Sequence, residues 1–280
     1  MKNSKQTNNI DAKVVEEFGK EWKRFNHKGI DSADLDSSFK DYFDIFPLDV
    51  LGEGEGFDMG CGSGRWAKFV APHVKFLHCI DPSSEALEQA KSNLKQFSNC
   101  DFECSSVDIC SLQNSSQDFG YSLGVLHHIP DTLEALRSCS FKLKPGAPFL
   151  LYLYYRFDNK PKWYAFVWRL SDLLRQVIAI LPYPIKFFTS QVIAFTIYFP
   201  LAKIARALEL LGLNVSNIPL SEYRSKSLYM MRTDALDRFG TRLEQRFTKT
   251  EITKMLADTG FENITFSDRA PFWVSLAYKK

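Results

Sequence analysis

From about residue 55 the chain alternates short apolar runs with amphipathic stretches, and this alternation predicts strands and helices in turn. Apolar runs at Lys75–Ile80, Asp101–Cys104, Phe119–Val125 and Phe149–Tyr154 read as strands, as does the segment ending at Gly56-Phe57-Asp58. Between them, helical spacing predicts a short helix from Gly64 to about Ala71, one from Glu85 to about Phe97, and one from Thr132 to Leu143. Pro72 stops the first, and Lys144-Pro145-Gly146 stops the last. Ser83 and Ser84 offer an N-cap for the middle helix. Repeated strand–helix alternation is the pattern of an α/β fold with a doubly wound, mostly parallel sheet and helices on both faces. In such sheets ligands gather outside the carboxyl ends of the strands, at the topological switch point.

The flanks follow other patterns. Val14, Val15, Phe18, Trp22 and Phe25 recur at helical spacing and predict an amphipathic helix over Asn9–His27, either packing or covering a ligand through Phe18 and Trp22. Phe39, Tyr42, Phe43 and Phe46 give a second, weaker stripe. At the other end, Thr248–Gly260 predicts a capped helix with a glycine stop, followed by strands at Asn263–Ser267 and Phe272–Tyr278.

Nearly a hundred residues between the fifth strand and Thr248 are surplus to the sheet. They are expected to form a helical insertion in which Trp163, Phe166, Val167, Leu170, Leu173 and Leu174 pack inward. Residues 177–202 are strongly apolar, but Pro182, Pro184 and Lys186 interrupt them and the uncharged run Phe187–Ala202 has only 16 residues. A spanning helix needs about 20. A buried or lid helix is expected, with peripheral docking on a bilayer or a dimer contact as alternatives.

Candidate chemistry centres on Gly56–Trp66. Gly60, Gly62 and Gly64 let the backbone turn tightly after a strand and approach a ligand, whose charge the amides of the next helix would meet. Asp58 adds a carboxylate. Asp81 lies 21 residues beyond Gly60, the spacing of a ribose-binding carboxylate in a βαβ nucleotide site. Asp108 and the His127-His128 pair also fall just after strands. The formal net charge of +2 argues against a dedicated nucleic-acid surface. Six cysteines without a Cys-x-x-Cys pair, and no zinc-like histidine spacing, predict reduced thiols and no metal. The polar Met1–Asn9 segment, with no apolar signal region, predicts a cytoplasmic location.

These residues resemble the class I S-adenosylmethionine-dependent methyltransferases, over roughly residues 50–155 and more loosely 249–280. The resemblance implies a seven-stranded sheet whose last strand is antiparallel and inserted beside its predecessor. It implies S-adenosylmethionine as cofactor, with Asp58, Gly60, Gly62 and Gly64 at its methionine end. Asp81 and Pro82 would serve the ribose, Asp108 and Ile109 the adenine, and Leu126 to Asp131 would line the methyl-transfer side. Residues 1–50 would be a helical cover, 51–155 with 249–280 the cofactor-binding core, and 156–248 a substrate lid. A nicotinamide-dependent dehydrogenase fits less well, because the glycines are spaced Gly-x-Gly-x-Gly.

The expected acceptor is a small molecule, glycan or lipid-like compound methylated at oxygen. His128 is the preferred general base and His127 the alternative. Tyr155, Trp22 and Arg224 are candidate acceptor contacts, arginine's planar fork suiting a carboxylate or phosphate. Arg232, Arg238, Arg242 and Arg246, balanced by Asp234, Asp237 and Glu244, otherwise read as a solvated helix face. A nucleic-acid methyltransferase lacks support from an Asn-Pro-Pro-Tyr-type element, and a non-catalytic binding module is the remaining alternative. Oligomeric state is left open.

Overall fold

A computed structural model of the chain describes residues 9–24 and 32–280. The expected continuation of the first helix through Phe25 to His27, and the polar residues 1–8, lie outside the described residues. Helices α1 (Ala12–Arg24) and α2 (Ser32–Phe43) precede strand β1 (Glu55–Met59). Then come α3 (Ala67–Val70), β2 (Phe76–Asp81), α4 (Ser84–Asn93), β3 (Cys100–Cys104), β4 (Phe119–Leu123), α5 (Thr132–Lys142) and β5 (Pro148–Tyr152). Near the C-terminus, β6 (Phe261–Phe266) and β7 (Ser275–Lys279) complete one seven-stranded sheet of order β3-β2-β1-β4-β5-β7-β6 among the described residues. Strands β1 to β5 pair in parallel, and β7 runs antiparallel to both its neighbours, β5 and β6. The strand order reverses between β1 and β4, which places the ligand crevice of such a sheet at their carboxyl ends.

Alternation along the strands builds two core layers. Phe57, Met59, Phe149 and Leu151 pack with Leu136, Ile252 and Leu256 on one face. Tyr121, Leu150, Leu77 and Cys79 pack with Trp66, Val70, Leu87 and Leu94 on the other. Covered on both sides, β4 and β5 read as continuous apolar runs. Ser83 caps α4 by accepting from the Ala86 amide at 3.3 Å. Thr248 and Glu251 form a reciprocal capping box at the start of the helix Lys249–Asp258.

Several strands end earlier than the apolar runs predict. Strand β4 stops at Leu123 because Gly124 turns out of the sheet with φ +78°. After β5, Tyr154 and Tyr155 continue as an extension, and Tyr155 pairs with Phe247 in an isolated bridge.

The insertion departs most from expectation. It contains α6 (Lys162–Ala179), α7 (Tyr183–Ile193), a wider helical turn at Ala194–Tyr198, α8 (Phe199–Leu210) and α9 (Leu228–Gly240). Tyr183–Leu210 is one continuous helix of 28 residues, long and apolar enough to cross a bilayer by length and composition. Pro182 and Pro184 do not break it. They sit at its start, where proline's missing N–H costs nothing. Lys186 does not break it either: its buried ammonium donates to Glu17 Oε1 at 2.7 Å, Gly240 O at 2.9 Å and Ala179 O at 3.0 Å. The stripe expected to pack inward from α6 is instead outward, with Phe166 70% exposed, because Tyr164, Arg175, Ile178 and Ala179 form the buried face.

Candidate active site

A cavity of about 450 Å3 opens at the carboxyl ends of β1, β2, β4 and β5. Helices α1, α6 and α9 and the stretch Ile193–Leu201 contribute its remaining walls. One end is the glycine turn. Gly60 (φ +78°) and Gly62 (φ +55°) hold a left-handed backbone, and both line the cavity. A Cβ on Gly60 would lie 2.3 Å from the Val125 side chain, and one on Gly62 would lie 3.1 Å from the Trp22 indole. The turn is thus closed against β4's exit on one side and covered by α1 on the other.

Asp81 ties the turn to β2. Its Oδ2 accepts from the Gly62 amide at 2.9 Å and its Oδ1 from the Ser83 amide at 2.8 Å. Burial pushes the Asp81 carboxyl up to about 6, while those two amides oppose the rise. Pro82 and Leu126 also line the cavity.

Other expected cofactor contacts lie elsewhere. Gly64 serves packing, since a Cβ there would meet Leu94 of the α4 layer at 2.8 Å. Asp58 is sealed beneath the turn beside Tyr121, and burial pushes its carboxyl up to about 8. It shapes the floor without lining the cavity. Asp108 and Ile109 are displaced from the cleft as well. Strand β3 ends at Cys104, so Ser105, Ser106 and Val107 line the cavity, and Asp108 already points past it to accept from the Asn9 amide at 3.2 Å. Ile109 is 52% exposed on the surface. The Ser106 hydroxyl and Asp108 Oδ1 are each buried without a hydrogen-bond partner.

The cleft fits an adenosyl sulfonium cofactor on these features: glycine backbone lining the cavity, the Asp81 carboxylate beside it, and the unpartnered Ser106 hydroxyl.

Past β4, the 3-10 turn Leu126–His128 carries both histidines. His127 is fully buried, with neither ring nitrogen hydrogen-bonded and its ring centroid 3.9 Å from that of Tyr154. Burial, then the His128 and Arg246 charges, hold it well below the usual histidine range. It does not line the cavity, so the alternative base is a packing residue. His128 does line the cavity. Its Nδ1 donates to Leu243 O at 2.7 Å, which leaves Nε2 as the lone-pair nitrogen. His128 Nε2 is 3.8 Å from Asp237 Oδ1, and both atoms are buried without a hydrogen bond. The Tyr154 hydroxyl donates to Asp237 Oδ2. Burial raises Asp237, opposed by His128 and Tyr154.

Of the acceptor-side candidates, Tyr155 and Trp22 line the cavity and Arg224 does not. Arg224 donates to Glu209 Oε1 at 2.8 Å and Ser221 O at 2.9 Å, on the short 3-10 turn Ser221–Ser225. The supposed solvated face of α9 is the reverse of what forms: Asp234, Asp237 and Arg238 turn into the cavity. Their i, i+3, i+4 spacing was the available signal, but sequence alone does not say which side of α9 meets the sheet. Burial pushes Asp234 up to about 6, opposed first by Arg65. Burial and the charges of Asp237 and Asp234 raise Glu21 well above the usual range. Arg65, adjacent to the last glycine, lines the cavity with its guanidinium 4.3 Å from the Trp66 ring and makes no salt bridge among the described residues.

Comparison with known proteins agrees with this geometry. A family model described as a methyltransferase domain matches residues 57–149. The chain is 28% identical over 152 residues to a ubiquinone biosynthesis O-methyltransferase of Vibrio vulnificus, covering 50% of this chain and 62% of that one. It is 27% identical over 90 residues to the enzyme of the same name from Coxiella burnetii, covering 32% and 38%. The match thus spans less than two thirds of either relative. Among solved structures, a SAM-dependent methyltransferase from Thermotoga maritima aligns over 96% of this chain and 99% of its own, with TM-score 0.52 at 15% identity. One from Aquifex aeolicus aligns over 92% and 97%, with TM-score 0.50 at 12% identity. These two share the fold. Residues 57–149 thus match a methyltransferase domain, and the chain as a whole has the fold of these SAM-dependent methyltransferases.

Proposed function

We propose that the protein transfers a methyl group from S-adenosylmethionine to a hydroxyl oxygen of a small, largely apolar acceptor. The observation that carries this reading is the facing pair of unpartnered atoms, His128 Nε2 and Asp237 Oδ1, on the cavity wall. Buried polar atoms are rarely left unpaired, and two atoms this close can both be reached by one ligand hydroxyl. The similarity to enzymes named as O-methyltransferases points the same way.

The cofactor supplies an electrophilic methyl on sulfur. The acceptor hydroxyl would give its proton to His128 Nε2 as the oxygen–methyl bond forms and the methyl–sulfur bond breaks, with S-adenosylhomocysteine the leaving thioether. Leu243 O fixes the tautomer by accepting from Nδ1, and Asp237 stabilises the imidazolium that forms. Tyr154 holds Asp237 in place through its second oxygen. Gly60, Gly62, Asp81 and Ser106 hold the cofactor, Trp22 and α1 cover it against water, and Arg65 is a cation for the carboxylate at its methionine end. Tyr155 and the neighbouring aromatic wall receive the body of the acceptor. Asp58, Gly64, Asp108 and Ile109 act behind these groups. A cytoplasmic location belongs to the same reading.

Calorimetry with S-adenosylhomocysteine, followed by turnover with a panel of hydroxylated aromatic and aliphatic acceptors, tests the proposal. Binding and oxygen methylation are expected. Absence of binding would instead leave a non-catalytic module, and salt-sensitive binding to RNA or DNA with methylation of that substrate would transfer the site to nucleic acid.

A further inference from the structure

The insertion turns an apolar layer away from the protein. On α6, Phe166, Leu170, Leu173 and Val177 follow at helical steps and are 70%, 63%, 61% and 59% exposed. On the Tyr183–Leu210 helix, Ile185, Phe188, Val192, Phe195 and Phe199 repeat the pattern at 50%, 69%, 42%, 51% and 38%. The opposite faces are committed to protein. Ile178, Ile193, Ala194, Tyr198 and Ala202 pack on Met231, Ala235 and Phe239 of α9. Crossing a bilayer would strip that packing away, whereas lying in its surface keeps it. Monomers rarely leave so large an apolar face uncovered.

Charge selects what covers it. Between Lys162 and Leu213 there are six cationic side chains and two carboxylates. Both carboxylates are already paired: Asp172 with Arg175 at 2.6 Å, and Glu209 with Arg206 and Arg224 at 2.8 Å. Lys162, Arg169 and Lys203 are exposed and make no salt bridge among the described residues. An apolar face flanked by unpaired cations alone complements an anionic lipid surface. A second copy of the same face would set these cations against one another.

The layer is also continuous with the cavity. Val167, Leu174 and Ile197 are 45%, 48% and 43% exposed, and each lines the cavity. The side chains that face outward therefore also wall the acceptor chamber.

We propose that α6, α7 and α8 dock the protein in the surface of an anionic bilayer, with the cavity's α6 wall turned to the lipid. The acceptor's class is then a lipid-dissolved molecule with a hydroxyl head. That last step rests on the oxygen-methylation reading, and docking itself does not.

Flotation of the full chain with vesicles of phosphatidylcholine, alone or mixed with phosphatidylglycerol, tests docking. Retention on the mixed vesicles is expected. The triple variants Phe166→Ser/Phe188→Ser/Phe195→Ser and Lys162→Glu/Arg169→Glu/Lys203→Glu should each weaken it about tenfold or more. Brominated lipid should quench the protein's fluorescence, and Trp163→Phe should remove much of that quenching. S-adenosylhomocysteine affinity, measured on each variant, should not move. If it is absent in every protein while vesicle binding persists, methylation fails and docking stands. A monomer indifferent to anionic vesicles overturns docking, as does a concentration-dependent dimer that the serine variants dissolve.

Discussion

His128 Nε2 and Asp237 Oδ1 stand 3.8 Å apart on the cavity wall although 109 positions separate them in the chain. The turn after β4 carries one, and α9 of the insertion carries the other. Leu243, six residues after Asp237 on the exit from α9, orients the imidazole through its carbonyl. The insertion thus completes a site that the sheet begins.

The first prediction concerns this pair. His128→Ala and Asp237→Asn should each lower kcat by about a hundredfold or more, the usual range for a lost general base or its partner. The double variant should cost little beyond either single change, because the two act as a unit. S-adenosylhomocysteine affinity should stay within a few-fold. His127→Gln should reduce stability more than turnover, since its ring is packing. Equal turnover losses from His127 and His128 variants of intact stability would count against the assignment.

A second prediction separates the arginines. Arg224→Ala should leave the acceptor KM unchanged, because its guanidinium is held by Glu209 outside the cavity. Arg65→Ala should weaken S-adenosylhomocysteine binding roughly tenfold, in line with losing a charge-assisted contact. Calorimetry on both variants decides.

The glycine turn yields a third. Gly62→Ala combines a left-handed backbone with a 3.1 Å approach to Trp22, so it should abolish cofactor binding and loosen α1. Gly146→Ala has the same backbone handicap (φ +81°) with open space around it, and should cost only about 1 kcal/mol of stability. Limited proteolysis of α1 reports the difference.

Acid titration gives a fourth. Asp58 titrates near pH 4 when unfolded and at about 8 in the fold, because burial disfavours its charge. Between those values the unfolded chain has lost the proton and the fold has kept it, so stability falls as pH rises from about 4 to about 8. Asp81, raised to about 6, adds a loss of the same sign over a narrower window. Asp58→Asn should therefore gain on the parent as pH rises, by a few kcal/mol at most near pH 8. Thermal unfolding of the cofactor-free protein at pH 5 and pH 8 measures it; a parent more stable than the variant at pH 8 but not at pH 5 would contradict it.

Lys186 supplies the last. Lys186→Met removes the donor shared by Glu17, Ala179 and Gly240, leaving two carbonyls without that partner. Urea unfolding should show a loss of about 2–4 kcal/mol.

Local information in the sequence was enough for the parallel core. Apolar alternation marked each strand from β1 to β5, the cap residues Ser83 and Thr248 marked helix starts, and the glycines with Asp81 marked the turn that lines the cavity. These signals act within a few residues, or across one strand–helix–strand unit, so spacing carries them. Strand β3 ends at Cys104 as its apolar run predicts, and the residues that line the cavity after it are Ser105, Ser106 and Val107, with Asp108 just beyond.

The His128–Asp237 pair and the outward apolar layer were decided only by tertiary packing. Helical periodicity shows that α6 and α9 have two faces, but it cannot say which one meets protein. The buried ties of Lys186 and Arg175 turn the apolar stripe of α6 and α7 outward, and the packing of α9 turns Asp234 and Asp237 inward. Long-range contacts of this kind have no signature in local spacing, and so His128 was legible as a candidate while its partner Asp237 was not.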